Sequence, residues 1–297
     1  MATRKQTIFL LIFAMVLWGL SWPFAKVITP YASEYTLIFW RFILSALSII
    51  PLMLYTKQSF ALKPRGFIYV AFATLFLFAY SLLFFFGLHH GLSGLGGVIV
   101  NTLNPIFTFI IIALLGRKGV SRHHVSALII AFIGGSMIMR VWEIELSTFL
   151  SGGNLVFLVA ALLWSGMTVV SDAAKTHIAV LNFSFYIYLG VALLSFGCAD
   201  KAEIAASFHF DLTFWAAMGF ISVIVTALAT SLYFKASTIL GSAHASSFVF
   251  LVPVSAVIGS YLFLNEIPTL TTIVGGTLCI IAVGLINQNS VKSTLNS

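Results

Sequence analysis

Ten apolar runs, each near the length of a membrane-crossing helix, divide this sequence almost from end to end: 6–28, 35–55, 67–88, 94–115, 123–141, 153–174, 179–199, 212–235, 242–264 and 269–287. A helix needs about 20 apolar residues to cross the hydrocarbon layer, so a chain punctuated in this way is expected to fold as helices in lipid. The breaks are short and carry turn chemistry, as in "TPYASE", "TKQSFALKPRG", "GRKGVSRHH" and "NEIPT". No polar stretch is long enough to fold as a soluble domain. Composition agrees: 60% of the residues are hydrophobic and 8% charged, against about a quarter charged in a soluble domain. The first run follows Arg4 and Lys5, as a secretory leader would, but it lacks a clear small-residue cleavage site and is read as a retained helix.

The net charge of +7 does not point to nucleic acid, because the basic residues lie in short loops between apolar runs. With the N-terminus in the cytoplasm, Arg4, Lys5, Lys57, Lys63, Arg65, Arg117, Lys118, Arg122, Lys175, Lys235 and Lys292 fall on the inner side. Lys26, Arg140 and Lys201 fall outside, and Arg41 lies within a helix. That bias predicts a multi-pass protein of the inner (plasma) membrane with both termini cytoplasmic. Cys198 and Cys279 each sit inside an apolar run, with no spacing that suggests a metal site or a disulfide. No cofactor is expected.

The two halves echo each other. Trp164 lies 146 residues after Trp18, and Tyr186 the same distance after Trp40. Phe234, Leu240 and Pro253 lie 148 residues after Phe86, Leu92 and Pro105. Five spans separate each pair. Because five is odd, the second copy enters the membrane from the opposite side. The expected fold is therefore an all-α integral membrane protein of ten transmembrane helices, built as two inverted five-helix repeats. The repeats occupy 1–145 and 150–290 within one compact domain. Secondary transporters commonly use this architecture and place the solute near the midplane between the repeats.

Polar and aromatic residues inside the spans are the candidate site. In "WGLSWPFAK", Trp18 and Trp22 share one helix face, Gly19 and Ser21 admit a close neighbour, and Pro23 removes a backbone donor. This stretch suits either a cavity wall or an interfacial belt closed by Lys26. Arg41, about two turns into the second span, needs a partner or water; Glu34 and a solute carboxylate are the two considered. Asn101 and Asn104 share a face beside Pro105 and suit a zwitterionic solute or interhelical hydrogen bonds. His244 suits solute binding, proton transfer or packing. Tyr80, Thr226, Thr230, Tyr233 and Phe248 are further candidate walls, and Trp164 is one by its echo of Trp18. His89 and His90 are expected to be solvated in a loop.

In their order along the chain, these features resemble the drug/metabolite transporter superfamily, EamA type. Its repeats typically open on a tryptophan-glycine motif followed by small and aromatic residues, as in Trp18-Gly19-Leu20-Ser21-Trp22-Pro23-Phe24-Ala25-Lys26. Arg41-Phe42, the mid-helix prolines Pro105 and Pro253, Leu264-Asn265-Glu266, Gly275-Gly276 and Gly284 match further motifs. The chain departs from the pattern at Leu115-Gly116-Arg117-Lys118, Trp164-Ser165-Gly166 and Tyr186-Ile187-Tyr188, so the halves have diverged. The resemblance implies export of small amphipathic metabolites, such as amino acids, by alternating access at a central cavity. On this reading Trp18, Trp22, Arg41, Tyr80, Asn101, Asn104, Trp164, Thr230, Tyr233, His244 and Phe248 meet the solute. The partners are the small-molecule solute and the lipid bilayer, and ten helices suffice for a monomer.

Three other functions fit the sequence less well. A small-multidrug-type cation/proton antiporter would want a buried mid-membrane acid in the first or sixth span, and neither holds one. A membrane enzyme would carry a motif such as HExxH or GxSxG, and none is present. A non-transporting scaffold or receptor is disfavoured by the short loops.

Overall fold

The computed structural model describes residues 4–91, 93–116, 122–145, 147, 153, 155–264 and 267–295, with side chains for all but 93–94, 122–123, 259–264 and 288–295. Arg117, Lys118, Asn265, Glu266 and Leu92, used above, lie outside the described residues. Among the described residues ten helical spans follow in order. They are α1 Arg4–Ile28, α2 Glu34–Tyr55, α3 Pro64–His90, α4 Ser93–Leu114, α5 Arg122–Met139, α6 Val156–Ala174, α7 Val180–Cys198 and α8 Leu212–Leu240. Then come α9, running from Ser242–Ser247 through a tight turn Phe248–Phe250 into Leu251–Leu264, and α10 Leu270–Leu295. Eight are long and apolar enough to cross a membrane, while α5 and the described part of α9 are shorter.

Local chemistry sets the helix ends. Pro64 opens α3, where a missing N–H costs nothing. Asp211 caps α8 by accepting from the Phe214 N–H at 2.9 Å. Gly116, at φ 65°, closes α4 in the left-handed conformation that favours glycine. Gly241, at φ 86°, separates α8 from α9. α8 runs to Leu240, about one turn past its expected end, so Lys235 lies inside the helix.

The packing follows a pseudo-twofold rule. α1 lies on α8 and α9 of the second half, and its counterpart α6 lies on α3 and α4 of the first. α2 pairs with α7, and α5 with α10. The main interfaces thus run between repeats, so the halves interlock as one body. Glycine closes two of these crossings. At Gly19 a Cβ would stand 2.8 Å from the Val252 carbonyl oxygen and 2.9 Å from the Ala256 nitrogen. Gly134 and Gly275 meet reciprocally, each pressed on the other's carbonyl oxygen. The glycine pairs of α5 and α10 thus serve contact within one chain.

With an even number of spans, the start of α1 and the end of α10 share one face, here called the terminal face; the other is the distal face. The short helix Lys201–Ala206 lies on the distal face between α7 and α8.

Candidate functional site: an aromatic cavity between the repeats

One small cavity of about 30 Å³ lies where α1, α2, α3, α4, α6 and α8 converge. Its walls are Trp18, Ser21 and Trp22 from α1, Arg41 from α2, Tyr80 and Phe84 from α3, Val100 and Asn101 from α4, Trp164 from α6, and Val225 and Thr230 from α8. It has room for about two water molecules, too little for an organic solute as it stands.

The aromatic walls interlock. Trp18 and Trp164, the pair related by the repeat, meet edge to face with ring centres 5.1 Å apart. Tyr80 packs on Trp164 at 4.8 Å, and Trp22 on Phe84 at 4.9 Å. Trp22 reaches this depth because Gly97 leaves space: a Cβ there would come within 3.2 Å of the indole. Both tryptophans of α1 are therefore buried inside the protein rather than in an interfacial belt. Lys26 does not extend to the headgroups; its Nζ donates to the Leu88 and Gly91 carbonyls and caps the end of α3.

Arg41 supplies the charge. Its Nε donates to Thr226 Oγ1 at 2.9 Å, and its guanidinium carbon lies 5.5 Å from the Phe42 ring centre and 5.4 Å from that of Phe84. Among the described residues it forms no ion pair. The sequence expectation of Glu34 as its partner is corrected: Glu34 Oε1 lies 2.8 Å from His89 Nδ1 at the distal face. His89 is likewise not in a loop but in the last turn of α3.

Three further polar walls donate to backbone carbonyls, whereas the buried Trp164 indole N–H has no partner among the described residues. Ser21 Oγ donates to the Trp18 carbonyl at 2.7 Å, Asn101 Nδ2 to the Gly97 carbonyl, and Thr230 Oγ1 to the Val225 carbonyl at 3.2 Å. The lone pairs of Ser21 and Thr230 and the amide oxygen of Asn101 remain as acceptors.

Five sequence candidates do not line the cavity; one, Thr226, holds Arg41 instead. Tyr233 is wholly buried behind Trp18, with its hydroxyl 2.9 Å from Thr168 Oγ1. Asn104 Oδ1 accepts from Ser165 Oγ and Thr108 Oγ1, each at 3.1 Å, and so ties α4 to α6. Phe248 is buried in the tight turn of α9. His244, at the terminal face, stands against His124 with ring centres 6.3 Å apart. Ser21, Phe84, Val100 and Val225 were missed. The signal for Phe84 was its place one turn beyond Tyr80.

The fault in α8 has a physical cause. Phe220–Thr230 is π-helical, and Thr226 Oγ1 and Thr230 Oγ1 donate to carbonyls five residues back, Ile221 and Val225. A count at 3.6 residues per turn therefore aligns Thr226, Thr230 and Tyr233 wrongly. The wider turn sends Thr226 to Arg41, Thr230 to the cavity and Tyr233 behind it. π-helical turns often mark functional sites.

On the distal face, second-half carboxylates hold first-half helix ends. Glu203 accepts from the Ser33 N–H at 2.8 Å and from the Ser33 and Thr36 hydroxyls, at the start of α2. Partial burial pushes its carboxyl up, but these donors outweigh that and hold it below the usual range. Asp211 is also held low, first by the Phe214 N–H and then by the Tyr31 hydroxyl at 2.9 Å. On the terminal face, Asp172 bridges Lys175 at 2.8 Å and the Ser242 N–H and hydroxyl at 3.3 and 3.2 Å, which fixes the start of α9.

Two inverted five-helix repeats around a buried polar and aromatic cavity define a membrane carrier. The chain belongs to the EamA-like transporter family, which it matches over 5–140 and again over 151–288. It is a multi-pass membrane transporter, not an enzyme. It is 26% identical to the uncharacterized transporter YvbV of Bacillus subtilis, over 97% of this chain and 93% of that one. It is 24% identical to YyaM of the same organism (89% and 88%) and to an uncharacterized transporter of Archaeoglobus fulgidus (95% and 97%). Its fold superposes on a solved crystal structure with TM-score 0.75 at 16% identity, covering 96% of this chain and 98% of that one.

Proposed function

We propose that this transporter exports small zwitterionic metabolites with an apolar body, amino acids above all, across the inner (plasma) membrane. It works by alternating access, with the repeats 1–145 and 150–290 rocking about the central cavity. Both termini are cytoplasmic, in keeping with the distribution of lysine and arginine, and the unit is a monomer, since ten helices suffice to enclose the cavity.

The observation that carries this reading is Arg41: a guanidinium in an aromatic cavity, with no carboxylate beside it among the described residues. A cation inside the membrane is costly until it is paired, and the open position beside it is the cavity. A carboxylate on the solute supplies the partner and makes charge-assisted hydrogen bonds. Ser21, Asn101 and Thr230 offer oxygens to an ammonium group, and the indoles of Trp18, Trp22 and Trp164 cover an apolar side chain. The same arginine repels a cationic drug, which argues against the cation/proton antiporter.

The test is counterflow into proteoliposomes of purified protein, with a panel of labelled amino acids, organic cations and neutral metabolites. Saturable exchange of apolar amino acids supports the proposal. Exchange confined to organic cations, or none with any solute, refutes it.

A further inference from the structure

Three cavity-lining helices are fastened at the distal face by one imidazole. His89, in the last turn of α3, presents Nδ1 to Glu34 Oε1 at 2.8 Å and Nε2 to the Thr29 carbonyl oxygen at 2.6 Å. Glu34 opens α2, and Thr29 directly follows α1. The clasp lies about two turns or less along each helix from Trp22, Arg41 and Phe84 at the cavity.

Both partners of the ring are oxygens, and this fixes a proton count. A carbonyl oxygen can only accept, and so can an ionised carboxylate. Neutral imidazole has one N–H and one lone pair, so against both oxygens one contact would set lone pair on lone pair. The clasp closes without that conflict in two ways. Either His89 carries both ring protons and Glu34 is ionised, or Glu34 is protonated and donates to Nδ1 while Nε2–H donates to Thr29. The two forms differ in where the proton sits, but each holds one proton more than neutral His89 beside ionised Glu34.

We propose that Glu34 and His89 form a proton-binding site that closes the distal entrance to the cavity. Proton capture completes the three-way clasp and holds the ends of α1, α2 and α3 together. Proton loss leaves one oxygen facing a lone pair, so the ring keeps its bond to only one of α1 and α2 and the three-way clasp is weakened. The side chains of His89 and Glu34 are 23% and 24% exposed, so the site exchanges protons with the medium on its own side. The neighbouring charges are otherwise engaged. Lys26 of α1 caps α3, His90 Nδ1 lies 3.0 Å from the Phe86 carbonyl, Glu203 holds Ser33 and Thr36, and Asp211 holds Tyr31. Acid on the distal side therefore favours the closed entrance.

The test reads the entrance directly and rests on the orientation proposed above. Ser21→Cys, with Cys198→Ser, places a thiol in the cavity, and a membrane-impermeant thiol reagent is added to spheroplasts at external pH from about 8 to about 5. In protein with native Ser21, exposed Cys198 on the distal face serves as the orientation marker and must label throughout. A Cys198 that stays unlabelled overturns the orientation, and then the same titration is run on inverted vesicles. Rates are taken relative to His89→Ala carrying the same reporter, which cancels the pH dependence of the thiol.

The relative rate is expected to fall severalfold towards acid. Glu34→Gln mimics the protonated acid: its amide donates to Nδ1 while Nε2–H still reaches Thr29. It should label slowly at every pH, the opposite of His89→Ala. If His89→Ala does not fold, Glu34→Gln and a small-molecule thiol standard decide alone. Equal pH courses in the unsubstituted clasp, Glu34→Gln and His89→Ala would overturn the proposal.

Discussion

At the scale of single residues, the site turns on one cation and two indoles. Arg41 keeps Thr226 as its neutral neighbour, and its side chain lines the cavity. Arg41→Gln removes the charge without emptying the space, and we expect counterflow affinity for apolar amino acids to fall about tenfold or more, since 1.4 kcal/mol is tenfold. Arg41→Lys should recover part of that loss, because a point charge cannot reproduce the guanidinium fork. Equal affinities in all three proteins would remove Arg41 from the site. Trp164→Ala should also weaken exchange about tenfold, from loss of an aromatic wall worth about 1–3 kcal/mol, while expression stays intact. Arg41 and the tryptophans were legible in the sequence because arginine in a span and tryptophan at a repeat offset are conspicuous. Ser21 and Val225 were not, because nothing distinguishes a lining serine or valine from a packing one until the helix rotation is known.

At the scale of elements, the crossings of α1 with α9 and of α6 with α4 are related by the repeat but held differently. Gly19 admits the Val252 carbonyl, whereas at the matching place Ser165 Oγ donates to the Asn104 carbonyl at 2.9 Å. Gly19→Ala forces backbone apart and should cost about 1–3 kcal/mol, read as a fall in thermal midpoint in detergent. Ser165→Ala loses a hydrogen bond and no space, about 1 kcal/mol, and should fall less. The α2 start depends on Glu203. Because this carboxyl is held low in the folded state, its contribution is present above the ordinary carboxylate range and is lost as pH falls through its folded value. Melting temperature should therefore drop from about pH 5 to about pH 3, and Glu203→Gln should flatten that slope. Span number and most span ends were readable from apolar length and from Pro and Gly. The π-helical stretch of α8 was not, because its pitch depends on packing against α1 and α2 rather than on a local signal.

At the scale of the whole molecule, the repeat offsets indicated duplication but not the interlock. Matches such as Trp18 with Trp164 say that two copies exist; only the fold places α1 among α8 and α9, and α6 among α3 and α4. That exchange puts the two tryptophans in contact at the junction, with helices of both copies around the cavity. The charged clusters then lie at the ends of the bundle, where Glu34, His89, Glu203 and Asp211 join helix ends on one face and Asp172 on the other. Hence carboxylates at the helix ends act as fasteners between elements. The cavity, with space for about two waters, must widen to take the proposed solute.

Two-sided access to that cavity is the most direct measurement. With Cys198 and Cys279 replaced by serine and alanine, Thr230→Cys in sealed, oriented vesicles is treated with an impermeant thiol reagent from each face in turn. Modification from either face, slowed from both by a solute that the protein exchanges, is the result the account predicts. Modification from one face alone, or no protection by any solute that the protein exchanges, would contradict it.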